Sequence, residues 1–206
     1  MQGSLLDLDD DLTLHDLPAG LTRTELTAGA WVDLRPGWLT GGDSLFDVLH
    51  HDVPWRAERR QMYDNVVDVP RLTKFYDVDE TLPHPMLDTV RETLSDHYEP
   101  ELGERFVTAG LCLYRDGRDS VAWHGDRIGR STTEDTMVAI LSIGSARPLL
   151  LRPRGGGAGT RRLPLGHGDL VVMGGSCQRT WDHAIPKTAK DVGPRISIQF
   201  RVRGVR

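Results

Sequence analysis

Three things are scarce in this 206-residue chain. No stretch approaches eighteen uninterrupted apolar residues, which excludes a helical membrane span. Cysteine occurs twice, at Cys112 and Cys177, too few and too far apart for a disulfide framework or a zinc knuckle. Lysine occurs three times, at Lys74, Lys187 and Lys190, so the basic side chains are nearly all arginine. Arginine forks suit carboxylates and phosphates, although a GC-rich genome produces the same bias with no functional cause. The N-terminus, MQGSLLDLDDDLTLHDLP, has neither the basic nor the apolar segment of a secretory signal. A reducing cytoplasm is the expected compartment.

What is present fits a globular protein, with 38% hydrophobic and 27% charged residues. The net charge of −5 argues at face value against a nucleic-acid partner. The halves differ, however: residues 1–100 carry 8 Lys and Arg against 20 Asp and Glu, and residues 101–206 carry 17 against 10. Residues 1–20 read as a loosely held acidic leader, and 21–206 as one domain, expected to be monomeric. Helical spacing predicts a short helix over 40–52, capped by Asp43 or Ser44, with Leu45, Phe46, Val48 and Leu49 on its apolar side. A second is expected over 84–97, where Met86, Leu87, Val90 and Leu94 recur behind a proline. LTAGAWVDLRPGWL reads as a short strand leading into a loop. From Phe106 the texture changes to the β runs FVTAGLCLYR, SVAWH, MVAILSIG, RPLLLRPR, RRLPL, DLVVMGG, TWDHAI and RISIQFRVR, with GGGAG at 155–159 as a hairpin turn. The fold class is α+β, mainly β: an antiparallel sandwich or barrel over about 106–203, braced by the earlier helices.

Two histidines keep unusual company. His124 lies two residues before Asp126, and on an extended strand such a pair shares one face. His183 follows 59 residues later in another strand-like run. Two imidazoles and one carboxylate leave the opposite face of a metal open, which suits non-haem Fe(II). The same set would also hold zinc for hydrolysis. In RISIQFRVR, Arg195, Ser197, Gln199 and Arg201 alternate with Ile196, Ile198, Phe200 and Val202. Arginine turned into a barrel needs an anion, and a dicarboxylate co-substrate would supply one. The other reading of that alternation is the solvated face of an edge strand.

Together His124-Gly-Asp126, His183 and RISIQFR resemble the AlkB-like 2-oxoglutarate- and Fe(II)-dependent dioxygenases, whose pattern is His-x-Asp, a distant His, then Arg-x-Asn-x-x-x-Arg. PRLT at 70–73, LYRDG at 113–117, LSIGSARPLLLR at 141–152 and GDLVVMGGSCQRTWDHAIPK at 168–187 extend the likeness over roughly 60–203. The resemblance implies a double-stranded β-helix, or jelly roll. It implies that His124, Asp126 and His183 hold iron, that Arg195 and Tyr114 bind the far carboxylate of 2-oxoglutarate, and that Arg201 lies near the metal-side carboxylate with Ser197 beside it. It implies dioxygen as the other reactant and oxidative demethylation of alkylated DNA bases, yielding formaldehyde, succinate and carbon dioxide. A nucleotide-recognition lid is implied at about 55–76, where Trp55, Tyr63, Phe75 and Tyr76 are candidates for stacking on a flipped base. Arg152, Arg154, Arg161 and Arg162 are candidate phosphate contacts, or ordinary surface arginines. Three departures stand out: Cys112 and Ser197 replace the family's usual Asn residues, and Arg127 and Ile128 follow Asp126 where some members carry an acidic residue. RNA, protein or small-molecule oxidation, and a non-catalytic binding module, are the alternatives.

Overall fold

The computed structural model describes residues 12–62, 65–126, 129–156 and 159–205, and within 58–68 the backbone alone. In chain order the elements are β1 (Thr13–Leu14), β2 (Thr22–Glu25), β3 (Ala30–Arg35), β4 (Leu39–Thr40), α1 (Asp43–Asp52), β5 (Arg56–Met62), β6 (Asn65–Tyr76), α2 (Pro85–Leu102), β7 (Thr108–Tyr114), β8 (Val121–His124), β9 (Val138–Gly144), β10 (Arg147–Pro153), β11 (Arg161–Leu165), β12 (Asp169–Gly175), α3 (Cys177–Thr180), β13 (Trp181–Ile185) and β14 (Arg195–Arg201). Each run expected from Phe106 onward is a strand. They form two antiparallel sheets, β2-β3-β12-β9-β14-β7-β6-β5 and β11-β10-β13-β8, which make a mainly β jelly roll. No helix among the described residues is long and apolar enough to cross a membrane.

The middle of the major sheet, β12, β9, β14 and β7, is buried on both faces, and its period of two decides which residues go where. Ile196, Ile198, Phe200, Leu111, Leu113 and Leu141 turn outward into one apolar cluster with Leu87, Val90, Leu94 and Tyr98 of α2 and Leu45 and Leu49 of α1. The inner face looks toward the minor sheet. It is apolar at Val171 and Met173 but polar at Arg195, Ser197 and Arg201, all of them buried. β14 lies between β7 and β9, so its alternation is that of a central strand with two buried faces, not a solvated edge.

The helices form where expected, with different ends. α1 begins on Asp43 behind Gly42, which offers no side-chain cap. α2 starts at Pro85, with the His84 ring accepting from the Met86 N–H at 3.1 Å, and runs past Pro100 to Leu102. There Gly103, at φ +78°, closes it by donating to the Glu99 carbonyl. Residues 12–20 of the expected leader are tied down. β1 pairs with β4, Leu17 is buried, and the Trp38 indole donates to the His15 carbonyl at 2.9 Å. The segment expected as a lid is a hairpin, β5–β6, whose second strand adds to β7. RAERRQM has no apolar alternation, so nothing in it announced a strand.

The buried carboxylate of Asp33 anchors α2 to the sheet. Asp33, 1% exposed, accepts from Arg23 Nε and Nη2 at 2.8 and 2.9 Å and from the Tyr98 hydroxyl at 2.9 Å. Tyr98→Phe is expected to lower stability by about 1–3 kcal/mol, the penalty for stripping a donor from a buried carboxylate. Denaturant unfolding checks this, with metal binding expected to stay unchanged.

Candidate metal centre

β13 and β8 are neighbours in the minor sheet and their register sets His183 directly opposite His124. The two rings lie 4.2 Å apart, centroid to centroid. Asp126 does not sit on the strand with His124, because β8 ends at His124 and Gly125 leads out of it. The site brings the carboxylate in by other means. The Asp126 N–H donates to Gln178 Oε1 of α3 at 3.1 Å, the Ser131 hydroxyl donates to the Asp126 carbonyl, and Arg201 holds Oδ2 through Nη2 at 2.8 Å and Nε at 3.2 Å. This leaves Oδ1 facing the imidazoles, 3.6 Å from His124 Nε2 and 4.0 Å from His183 Nε2. One donor atom from each of the three residues lies within 4.8 Å of the others, and among the described residues no other such group exists.

The protonation states suit a metal. His124 Nδ1 lies 2.8 Å from the Ala122 carbonyl, which can only accept, so in the neutral ring Nδ1 carries the proton and Nε2 the lone pair. Burial, reinforced by His124, pushes His183 down to about 3, so it is a neutral ligand at ordinary pH. Burial alone would raise the Asp126 carboxyl, but Arg201 and the two histidines outweigh it and hold the group well below the usual carboxylate range. Cys177 is near Asp126, yet burial pushes its thiol up to about 12 and keeps it protonated, so the donor set stays two nitrogens and one oxygen. That set, with a face left open, fits non-haem iron.

The second half of the site lies along β14. Arg195 is 1% exposed; its Nε donates to Ser142 Oγ at 2.9 Å, and its Nη1 is buried with no partner. The Tyr114 ring lies 5.3 Å from its guanidinium carbon, and burial pushes that phenol up to about 12. Arg147, 2% exposed, donates through Nη1 to the Asp116 carbonyl and through Nη2 to the carbonyls of Asp119 and Pro186, which leaves its Nε buried without a partner. A buried guanidinium without a carboxylate fits an acid co-substrate. Arg201 lies on the metal-ligand carboxylate itself, with Gln199 Oε1 accepting from its Nη2 at 2.7 Å. Ser197 lies beside Gln199 on the same face.

Ser142, Gln178 and Gln199 went unnoticed in the sequence as site residues. Ser142 had a signal: it is the lone hydroxyl in the buried run MVAILSIG. Gln178 had none, since its role depends on a four-residue helix packing beside the strand end.

The hairpin aromatics divide by the same period of two. Phe75 lies opposite Gly110 and shares the inner face with Arg201 and Gln199. Tyr76 lies opposite Ala109, on the outer face, 6% exposed in the apolar cluster. Trp55 donates its indole N–H to the His50 carbonyl at 3.1 Å and packs against the same cluster. Tyr76 is therefore not turned to stack on a base, which corrects that expectation. Tyr63, like Arg127 and Ile128, lies outside the described residues. Arg152 stacks over Trp123 at 4.2 Å on the outside of the minor sheet, and Arg154, Arg161 and Arg162 are exposed.

A jelly roll with this ligand set defines a metal-dependent oxygenase that works with an acid co-substrate. The family model of the 2OG-Fe(II) oxygenase superfamily matches residues 48–201, and the chain belongs to that superfamily. Within it the chain is AlkB-like. It is 33% identical over 202 residues to the alpha-ketoglutarate-dependent dioxygenase alkB homolog 3 of Bos taurus, covering 89% of this chain and 67% of that protein. It is 28% identical over 178 residues to the DNA oxidative demethylase ALKBH2 of Homo sapiens, covering 77% and 67%. The solved structure of OsALKBH1 superposes with a TM-score of 0.61 at 13% identity, covering 87% of this chain and 99% of that one. A 2OG-Fe(II) family oxidoreductase from Burkholderia pseudomallei superposes with a TM-score of 0.56 at 11% identity, covering 84% and 86%. These two share the fold. The chain is a 2-oxoglutarate-dependent dioxygenase that uses Fe(II) and dioxygen.

Proposed function

We propose that this dioxygenase acts on nucleic acid and demethylates N-alkylated bases in DNA, releasing formaldehyde. The observation that carries the reading is the pairing of the His124–Asp126–His183 triad with a buried Arg195 whose Nη1 has no partner, in a chain similar over most of its length to proteins named as DNA oxidative demethylases. His124, Asp126 and His183 would hold the iron and Arg195 the distal carboxylate of 2-oxoglutarate. When bound, iron with this co-substrate and dioxygen supplies the oxidising equivalent for the methyl carbon, with succinate and carbon dioxide as co-products. The chain's own part is positional. Arg201 and Gln178 fix Asp126, and Ala122 fixes the His124 tautomer. Phe75 supports a base as substrate, because it brings an aromatic ring beside Gly110 on the side of the sheet that carries Arg201.

Mass spectrometry of oligonucleotides carrying 1-methyladenine or 3-methylcytosine tests this. Loss of the methyl mass from DNA, dependent on Fe(II) and 2-oxoglutarate, is the expected result. Demethylation of the matched RNA alone, or of neither while succinate accumulates, overturns the DNA assignment. Phe75→Ala is expected to raise KM for the modified DNA about 10-fold or more, the worth of one stacked base, while co-substrate affinity holds. A KM that stays at the wild-type value removes Phe75 from the base site.

A further inference from the structure

Gln199 sits between the two halves of the site. Arginine only donates, so the contact with Arg201 Nη2 at 2.7 Å fixes which end of the Gln199 amide is oxygen. Its Nε2 then points the other way, 3.2 Å from Ser197 Oγ and 3.4 Å from Cys112 Sγ. These are the two positions at which the family pattern has asparagine. A serine and a cysteine leave those positions without an amide, and the longer glutamine, one strand position further along the same face, brings one in. Gly110 makes room for it: a Cβ there would stand 3.0 Å from Arg201 Nη1 and 3.5 Å from Gln199 Oε1. The Arg201 fork so aligned holds Asp126 Oδ2 and leaves Oδ1 to the metal side. Because Ser197 Oγ accepts from Gln199, its own proton remains to be donated on the face it shares with Arg195.

We infer that Gln199 is a positioning residue that couples the two sub-sites, aligning Arg201 on the metal-ligand carboxylate through Oε1 and orienting Ser197 toward the 2-oxoglutarate site through Nε2. The inference rests on the iron and 2-oxoglutarate assignments and is independent of the nucleic-acid substrate. Two near-isosteric variants separate the two tasks. Gln199→Met removes both contacts. Gln199→Glu keeps an acceptor for Arg201 and removes the donor.

The test measures Mn(II) binding by electron paramagnetic resonance, and 2-oxoglutarate binding to the Mn(II)-loaded protein by calorimetry, with no turnover required. Gln199→Met is expected to weaken Mn(II) binding by about 10- to 100-fold, the usual consequence of losing an outer partner of a metal ligand. Gln199→Glu is expected to hold Mn(II) more tightly than Gln199→Met, yet to bind 2-oxoglutarate more weakly than wild type. A general loss of packing would lower both affinities equally in both variants, and that pattern overturns the inference. So does wild-type affinity for both ligands in Gln199→Met. Failure of the wild-type protein to bind Mn(II) at all would instead remove the metal site on which the inference stands.

Discussion

Asp126→Ala is expected to do two separable things: abolish iron binding, and with it all succinate formation, and lower the stability of the metal-free protein by about 3–5 kcal/mol, the cost of leaving a buried charge without its partner. The second effect follows from Arg201, which is 8% exposed and holds Asp126 Oδ2 at 2.8 Å. The double variant Asp126→Leu with Arg201→Met removes both charges at similar volume. It is expected to recover most of the lost stability and none of the iron binding. Calorimetric unfolding of the single and double variants, beside metal uptake, reads the two effects apart. Equal stability of Asp126→Ala and wild type would mean that the ion pair does not hold the site together.

Arg195→Met is expected to move affinity and stability in opposite directions. Co-substrate affinity falls by about 30-fold or more, since truncating one side of a buried charge pair costs at least about 2 kcal/mol. The ligand-free protein gains, because a buried guanidinium held by hydroxyl groups and no carboxylate, with Nη1 left without a partner, is replaced by an apolar side chain of similar length. A relief of about 1 kcal/mol corresponds to a melting temperature about 2–4 °C higher for a chain of this size. Titration calorimetry with 2-oxoglutarate and a thermal melt of the same sample check both. A variant that melts lower than wild type, or binds 2-oxoglutarate equally well, refutes the assignment of Arg195.

The strands and the metal triad were legible for the same reason: both write themselves in short, local patterns. A run such as DLVVMGG, short and closed by glycines, reads as a strand, and a His-x-Asp with a later histidine reads as a ligand set, although Asp126 enters it from beyond the end of β8 and not from the strand face. The parity of RISIQFR was legible as well, but parity alone could not say that both faces are buried, which depends on β7 and β9 flanking the strand. Contacts made through distant neighbours were not legible. Asp126 is held by Gln178 from 52 residues away and by Arg201 from 75; the alternation of RISIQFR marked Arg201, but nothing in the sequence marked Gln178 or tied either one to Asp126. The hairpin aromatics misled for a related reason. Phe75 and Tyr76 are adjacent in sequence and equivalent in composition, and only the pairing with β7 sends one to the metal side and the other toward α2.

The same parity bears on how this protein can change over evolutionary time. Arg195 and Arg201 are separated by six positions, an even number, and this is why one ribbon of chain serves both ends of the site. A single inserted or deleted codon between them would send one arginine through the sheet into the packed layer beneath, whatever residue it encoded. Sequence drift along this ribbon is therefore confined to exchanges of one side chain for another, while changes of length are left to the connecting turns.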